Sequence, residues 1–432
     1  MQNTHTDRRP DSWPDSWYAA SAPLHEPEDT LSTHVETDVC VIGGGFTGLS
    51  AALTLAEAGR TVTLVEARQV GWGASGRNGG QLIRGFVGQE RLAKYWGASR
   101  AKDVRALTWA GHDLIRRRID DYDIDCDLTP GWLEVAPTPR QLAGLYHSYN
   151  EMESDCPDRG WHFMGAAELA DTIGSDVYQG GLRSMSDGHL HPLKLCLGLY
   201  KACKKLGVQI YERSPVHKIE EGAEARVHAG TGSVRAKHVV MAANAHHNLL
   251  RRKLGGYAFP AGSFLIATEP LAEDVLDRLN PNRYAICDTK KVCDYFRMSA
   301  DGRVLFGGRV NFSGRKPKSV KDKLMPRLLK VWPELEGIKV THEWGGKLGV
   351  SLGEVPLVGR IGENIWYSFG YTGHGVNMGN LMGQVLGEAI TGHMGRFELF
   401  AAVPKWRLPI GAWLGRQAVS SAILYYWLKD RL

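Results

Sequence analysis

The sequence predicts an α/β fold: a parallel, doubly wound sheet assembled from discontinuous segments, joined to an α+β domain with a mainly antiparallel sheet. Three observations predict it. Residues 37–67 read as strand, glycine turn, helix and strand, the order that produces a parallel pair with a crossover helix. A second apolar strand that runs into glycines and then a helix, at 365–390, lies near the other end of the chain. Between these pieces, alternating runs around 262–268, 292–298 and 303–310 read as strands of another sheet, and 101–122 reads as helix.

In the first unit, Val39 to Ile42 is a short apolar, β-branched run suited to a strand buried on both faces. It leads directly into Gly43, Gly45 and Gly48 in the spacing GxGxxG, and Leu49 to Ala58 follows as helix. In this arrangement Gly43 permits the tight turn, Gly45 lets the backbone approach a pyrophosphate, and Gly48 allows the helix to lie close on the strand. The helix start adds free N–H groups and the positive end of its dipole. A second strand, 61–65, ends on Glu66, where a carboxylate that bonds a ribose belongs. An acid there disfavours a ribose carrying a 2′-phosphate. The unit is therefore Rossmann-like, and its ligand is a dinucleotide.

Composition narrows the partners. The chain has 432 residues, 43% hydrophobic and 23% charged, enough to bury a large core and to form more than one domain. Its 52 basic and 47 acidic residues balance to +5 without a charged block, which argues against nucleic acid as a partner. Seven cysteines without a CxxC pair are unlike a secreted disulfide framework and fit a reducing, cytoplasmic compartment. The polar N-terminus has no apolar run of signal-peptide length. From Leu408 to Leu428 the one charged residue is Arg416. The expectation is a docked C-terminal helical segment within 396–432, with a helix lying in a membrane interface on Trp413, Tyr425, Tyr426 and Trp427 as the alternative.

The second glycine-rich loop, 71–82 (GWGASGRNGGQL), follows closely on Glu66. With the GxGxxG unit and the acid, it resembles the D-amino-acid oxidase and glycine oxidase superfamily of FAD-dependent flavoproteins. That resemblance implies an FAD-binding domain made of 33–100, 155–250 and 340–395, and a substrate domain made of 101–154 and 251–339. It implies cofactor contacts from Gly43, Gly45, Phe46, Thr47, Gly48, Glu66, Ala67 and Arg68 at the nucleotide end. Gly73, Ala74, Ser75, Arg77, Asn78, Gly79, Gly80 and Gln81 would follow along the flavin loop. Val216 would meet adenine through its backbone. Ala243, at the end of the strand in SVRAKHVVMAANA (233–245), and Gly346 complete the set with the turn Gly373, His374, Gly375 and Val376. A helix start at that turn would stabilise negative charge on the N1 side of the flavin.

Beyond the nucleotide motifs, WYAASA (17–22), IDCD (124–127), HLHPLKL (189–195), DYFR (294–297), LFGGR (305–309) and YTGHGV (371–376) are similar to bacterial γ-glutamylputrescine oxidases. Such enzymes oxidise a free primary amine to an imine that hydrolyses to an aldehyde, and oxygen becomes hydrogen peroxide. Hydride transfer to flavin N5 needs orientation more than an acid or base. Candidates beside the ring are Arg77, Tyr371, His374 and Arg309, with Tyr295, Arg297, Arg309 and Tyr371 facing substrate. Relatives that attach flavin through cysteine use the segment before the last cofactor strand. Residues 344–359 contain none, so the FAD is expected not to be bound through sulfur. His189 and His191, alternating on one strand face, have no acids or cysteines nearby and are expected to be structural, with no metal site. Two alternatives stay open: oxidation of L-pipecolate or another secondary amine with electrons passed to a membrane quinone, and a structural FAD in a binding protein.

Overall fold

A computed structural model describes residues 12–155, 160–244, 249–290, 292–308, 317–408 and 421. The strand that carries the glycine turn, His34–Ile42, is longer than its apolar core. Its polar first half is held by parallel pairing along the whole of Gly232–Met241, from His34 opposite Ser233 to Ile42 opposite Met241. Only its last four residues need be apolar, because they alone are buried on both faces. Val62–Val65 pairs on the other side, and Gln209–Tyr211 extends the sheet beyond it. Ile365–Phe369 joins Gly232–Met241 in parallel, and Leu357–Ile361 closes that edge antiparallel. Eight strands from three separate stretches of sequence thus make the nucleotide sheet, the Rossmann-like arrangement expected.

The second sheet has nine strands. Val340–Ser351, Ala258–Thr268, Val304–Gly308, Asp294–Met298 and Ala285–Asp288 lie side by side and antiparallel, and Thr129–Ala136 joins them in parallel. Gly180–His189 and Trp161–Gly165 continue the sheet antiparallel. Trp161–Gly165 and Gly180–His189 fall within 155–250, and Val340–Ser351 within 340–395, both expected in the FAD domain. Hydrogen bonding puts all three in the other sheet. A linear division by motif misplaces them because each is an excursion between strands of the nucleotide sheet.

Strand alternation gives the second sheet two faces. One face sends Phe264, Ile266, Phe296, Met298 and Phe306 into a core with the helices Ala166–Ile173, Glu273–Leu279 and Lys321–Val331. Trp332 is fully buried there, donates from its indole to Ile173 O (2.7 Å), and meets Phe296 edge to face. The other face holds Ser263, Leu265, Cys287 and Tyr295 and becomes the wall of a large cavity.

Helices bind the nucleotide unit together. Ala101–Asp121, expected as 101–122, sends the buried Arg118 to Ser50 Oγ (2.6 Å) and Thr54 Oγ1 (2.7 Å) on the helix Phe46–Glu57. Gly375–Ile390 packs against the same helix. A Cβ at Gly383 would lie 2.4 Å from Thr47 O and 2.5 Å from Ser50 Cβ, so the two helices touch backbone to backbone. His189 and His191 do not share a strand face. His189 ends its strand and bonds Arg283 O (2.8 Å), whereas His191 caps the helix Pro192–Lys205 and accepts from Lys194 N (3.1 Å). Burial, reinforced by the nearby Arg297 charge, pulls both down to about 3, so both are neutral packing residues. Among the described residues no helix is long and apolar enough to cross a membrane. Most of the C-terminal segment, including Trp413, Arg416 and Tyr425 to Trp427, lies outside them.

Gly383→Val is expected to destabilise the protein by about 1–3 kcal/mol, because overpacking must separate the two helices. Chemical denaturation with and without FAD measures this, and an unchanged midpoint would rule out the close contact.

Candidate active site

The cavity between the two sheets has a volume of about 2940 Å³ and runs the length of the nucleotide unit. At one end lie Glu66, Ala67, Arg68 and Val216, together with Arg213. Glu66 is held by two backbone donors, Gly44 N to Oε2 (2.6 Å) and Arg68 N to Oε1 (2.8 Å). Burial raises its pKa, and those N–H groups oppose the shift by stabilising the ionised form. The carboxylate therefore stands at the end of its strand, oriented before any ligand arrives, with lone pairs left to accept from a ribose hydroxyl.

The glycine turn then brings backbone to the cavity. Gly43 has φ +109°, open only to glycine without strain. At Gly48 a Cβ would fall 1.8 Å from Gly43 O, so this glycine does not line the cavity but sets the helix on the turn. Gly45, Phe46 and Thr47 do line it, and Ser75 of the second loop accepts from Phe46 N (3.0 Å), locking the two loops together. Gly73, Ala74, Ser75, Arg77, Asn78, Gly79 and Gln81 continue along the cavity. Gly80 turns away and its carbonyl accepts from Leu190 N (2.7 Å). Asn78 shapes the loop by donating to Ala74 O and Ser75 O and accepting from Gly80 N.

Opposite, Gly373, His374, Gly375 and Val376 open the helix Gly375–Ile390, with Ala243 and Gly346 beside them on the lining. The N–H groups in the first turn of that helix have no intrahelical acceptor. Two helix starts, this one and Phe46–Glu57, thus meet one cavity with their positive dipole ends. A slender anionic dinucleotide carrying a ring that gains negative charge fits this arrangement. The glycine-lined approach, the ribose acid and the paired helix starts are together what FAD requires.

Two of the expected substrate residues spend their side chains on architecture. Arg297 is buried away from the cavity, where it donates to Gly79 O (2.8 Å), Leu190 O (3.0 Å), Met298 O (3.3 Å) and Tyr18 Oη (3.3 Å). It supports the flavin loop from behind, because a buried guanidinium must satisfy its donors on carbonyls. Tyr371 lines the cavity, but its hydroxyl is shared between Thr47 Oγ1 (2.7 Å) and Ser368 Oγ (3.1 Å) and so ties the last turn to the first. Arg77 donates from Nε to Trp72 O (2.7 Å), with its guanidinium 4.0 Å over the Trp72 ring. Arg309 lies outside the described residues.

Tyr295 stands on the second-sheet wall, its hydroxyl 2.9 Å from Ser263 Oγ and its ring against Gly79 and Gly307. Burial raises its pKa, so it is a neutral phenol. His374 is neutral as well, since burial lowers its pKa against the opposing effect of a hydrogen bond with the Arg84 backbone. Residues that pattern alone did not reveal include Trp72, Asn244 and Trp344. Trp344 donates to Arg77 O (3.1 Å), and Asn244, at φ +43°, accepts from Gly370 N (3.2 Å). No local period marks such residues, although an Asn after small residues at a strand end is a signal for a left-handed turn.

The FAD-dependent oxidoreductase (DAO) family matches residues 38–389. The chain belongs to this family. The chain is 39% identical to the γ-glutamylputrescine oxidoreductase of Escherichia coli (strain K12), over 96% of this chain and 98% of that one. Among solved structures, glycine oxidase from Geobacillus kaustophilus aligns with a TM-score of 0.71 and 19% identity, over 87% of this chain and all of the other. L-proline dehydrogenase from P. horikoshii aligns with 0.69 and 20%, over 87% of this chain and 96% of its own. These two share the fold.

Glu66→Gln would set an amide N–H₂ against Gly44 N–H or Arg68 N–H. The expected result is weaker FAD binding by about tenfold or more, read by titrating apoprotein with FAD fluorescence. Equal affinity would remove Glu66 from the site.

Proposed function

We propose that this DAO-family oxidoreductase oxidises the free primary amine of γ-glutamylputrescine. The similarity to the Escherichia coli enzyme over nearly the whole of both chains carries this reading. Bound FAD supplies a hydride acceptor at N5 and a route for the electrons to oxygen, which yields hydrogen peroxide.

What the chain contributes is place and polarity. Tyr295 and Ser263 form a paired hydroxyl wall that offers a hydrogen bond without charge. His374, held neutral, does not repel an approaching ammonium and can accept from an amine N–H. Arg77, packed on Trp72, supplies a fixed cation at the lining. Arg309 is proposed for the same role toward substrate or oxygen from its sequence position alone. Lys318 and Lys347 also line the cavity and offer positive charge to the carboxylate of a γ-glutamyl head group. With the amine delivered uncharged, these residues orient the reacting carbon and leave the proton to solvent.

Anaerobic mixing with γ-glutamylputrescine should remove the flavin absorbance near about 450 nm within one turnover, while putrescine, sarcosine and L-pipecolate act far more slowly. Fast bleaching by L-pipecolate instead would transfer the protein to cyclic amines, and none with any amine would end the reading. Because burial pushes the His374 pKa below its usual value, protonation begins only at lower pH. The variant His374→Gln is therefore expected to keep the wild-type pH profile of kcat/KM between about pH 6 and 8. Loss of a rising limb near about 6.5 would make His374 the titrating base.

A further inference from the structure

The second-sheet wall of the cavity carries two thiols that amine oxidation does not use. Cys287 lies on the strand Ala285–Asp288, directly opposite Tyr295 in the antiparallel register. Cys293 stands immediately before the strand Asp294–Met298, two residues from Tyr295, and Cys287, Tyr295 and Cys293 all line the cavity. Both cysteines are half-buried, and their side chains are hydrogen bonded to each other. Cys40, Cys126, Cys196 and Cys203, by contrast, are buried singly in packed regions.

We propose that Cys287 and Cys293 are a dithiol modification site, closed to a reversible disulfide by a hydroperoxide. Cys287 donates to Asp288 O (3.6 Å), and its hydrogen bond with Cys293, together with burial, raises its pKa, so Cys287 keeps its proton in the first step. Arg327, which pairs with Asp294, places positive charge near Cys293. In the first step the Cys293 thiolate attacks a peroxide oxygen. An S–O bond forms, the O–O bond breaks, and hydroxide leaves and takes up a proton as water. Cys287 then attacks the sulfenic sulfur, forming S–S and releasing the second oxygen as water, with the Cys287 proton completing it. Two thiols lose two electrons and one hydrogen peroxide becomes two waters. A thiol reductant reverses the change. The bond would staple two adjacent strands beneath Tyr295, in the wall that faces the cofactor cavity.

The test uses FAD-loaded enzyme without amine, treated with hydrogen peroxide, alkylated and digested, so it does not depend on which substrate the enzyme takes. The expected product is a peptide pair joined through Cys287 and Cys293, lighter by two hydrogens and separated by a phosphine reductant. Either Cys287→Ser or Cys293→Ser should abolish the pair, and Cys287→Ser should trap a dimedone adduct on Cys293. Retention of FAD absorbance verifies that the variants fold. Both thiols remaining alkylatable after peroxide, or each oxidising separately to sulfinic acid in the wild type, would overturn the proposal.

Discussion

The structure depends on how closely the helix Phe46–Glu57 can lie against its neighbours. Gly48 lets it rest on the Gly43 carbonyl, and Gly383 lets the helix Gly375–Ile390 rest on Thr47 and Ser50. Larger side chains would separate these backbones by the thickness of a methyl group or more, and the two helix starts would no longer meet. That meeting creates a cavity faced by two positive dipole ends, an electrostatic setting for a dinucleotide and for a ring that accumulates negative charge. Arg118 reinforces it by bonding Ser50 and Thr54 from a third helix.

The second sheet serves the same cavity by a different rule. Period-two alternation divides its residues between an aromatic core around Trp332 and a wall of Ser263, Cys287 and Tyr295. The wall is uncharged where it carries hydroxyls, and His374 across from it is neutral too. Low charge suits a reaction in which hydride leaves an uncharged amine, since an ionised base beside the reacting carbon would hold the substrate as its ammonium ion. The fixed cations, Arg77 on Trp72 and the lysines Lys318 and Lys347, lie on the lining where they can orient anionic groups.

Several conspicuous polar residues spend their donors on architecture. Arg297 braces the flavin loop through Gly79 O and Leu190 O, Tyr371 joins the last nucleotide turn to Thr47, and His189 and His191 close a strand end and a helix start. Each stands in a motif that resembles the family's, which is why motif membership suggested chemistry. A buried donor must be satisfied by whatever carbonyl or hydroxyl folding brings near, and that partner, not the motif, decides the role.

The sequence by itself determined the local units: the strand, glycine turn, helix and acid of 37–67, the second glycine turn before 375–390, and the alternating strands of the wall. These are short-range properties, set by glycine conformational freedom and by hydrophobic period. It also carried the family resemblance, through motifs spread along the chain. Tertiary structure alone decided which sheet received Trp161–Gly165, Gly180–His189 and Val340–Ser351, because pairing partners lie far away in sequence. It also decided that Arg297 spends its donors on Gly79 O and Leu190 O while Cys287 and Cys293 line the cavity together. Orientation of that kind follows from sheet register and from the packing of distant segments, neither of which any local pattern encodes.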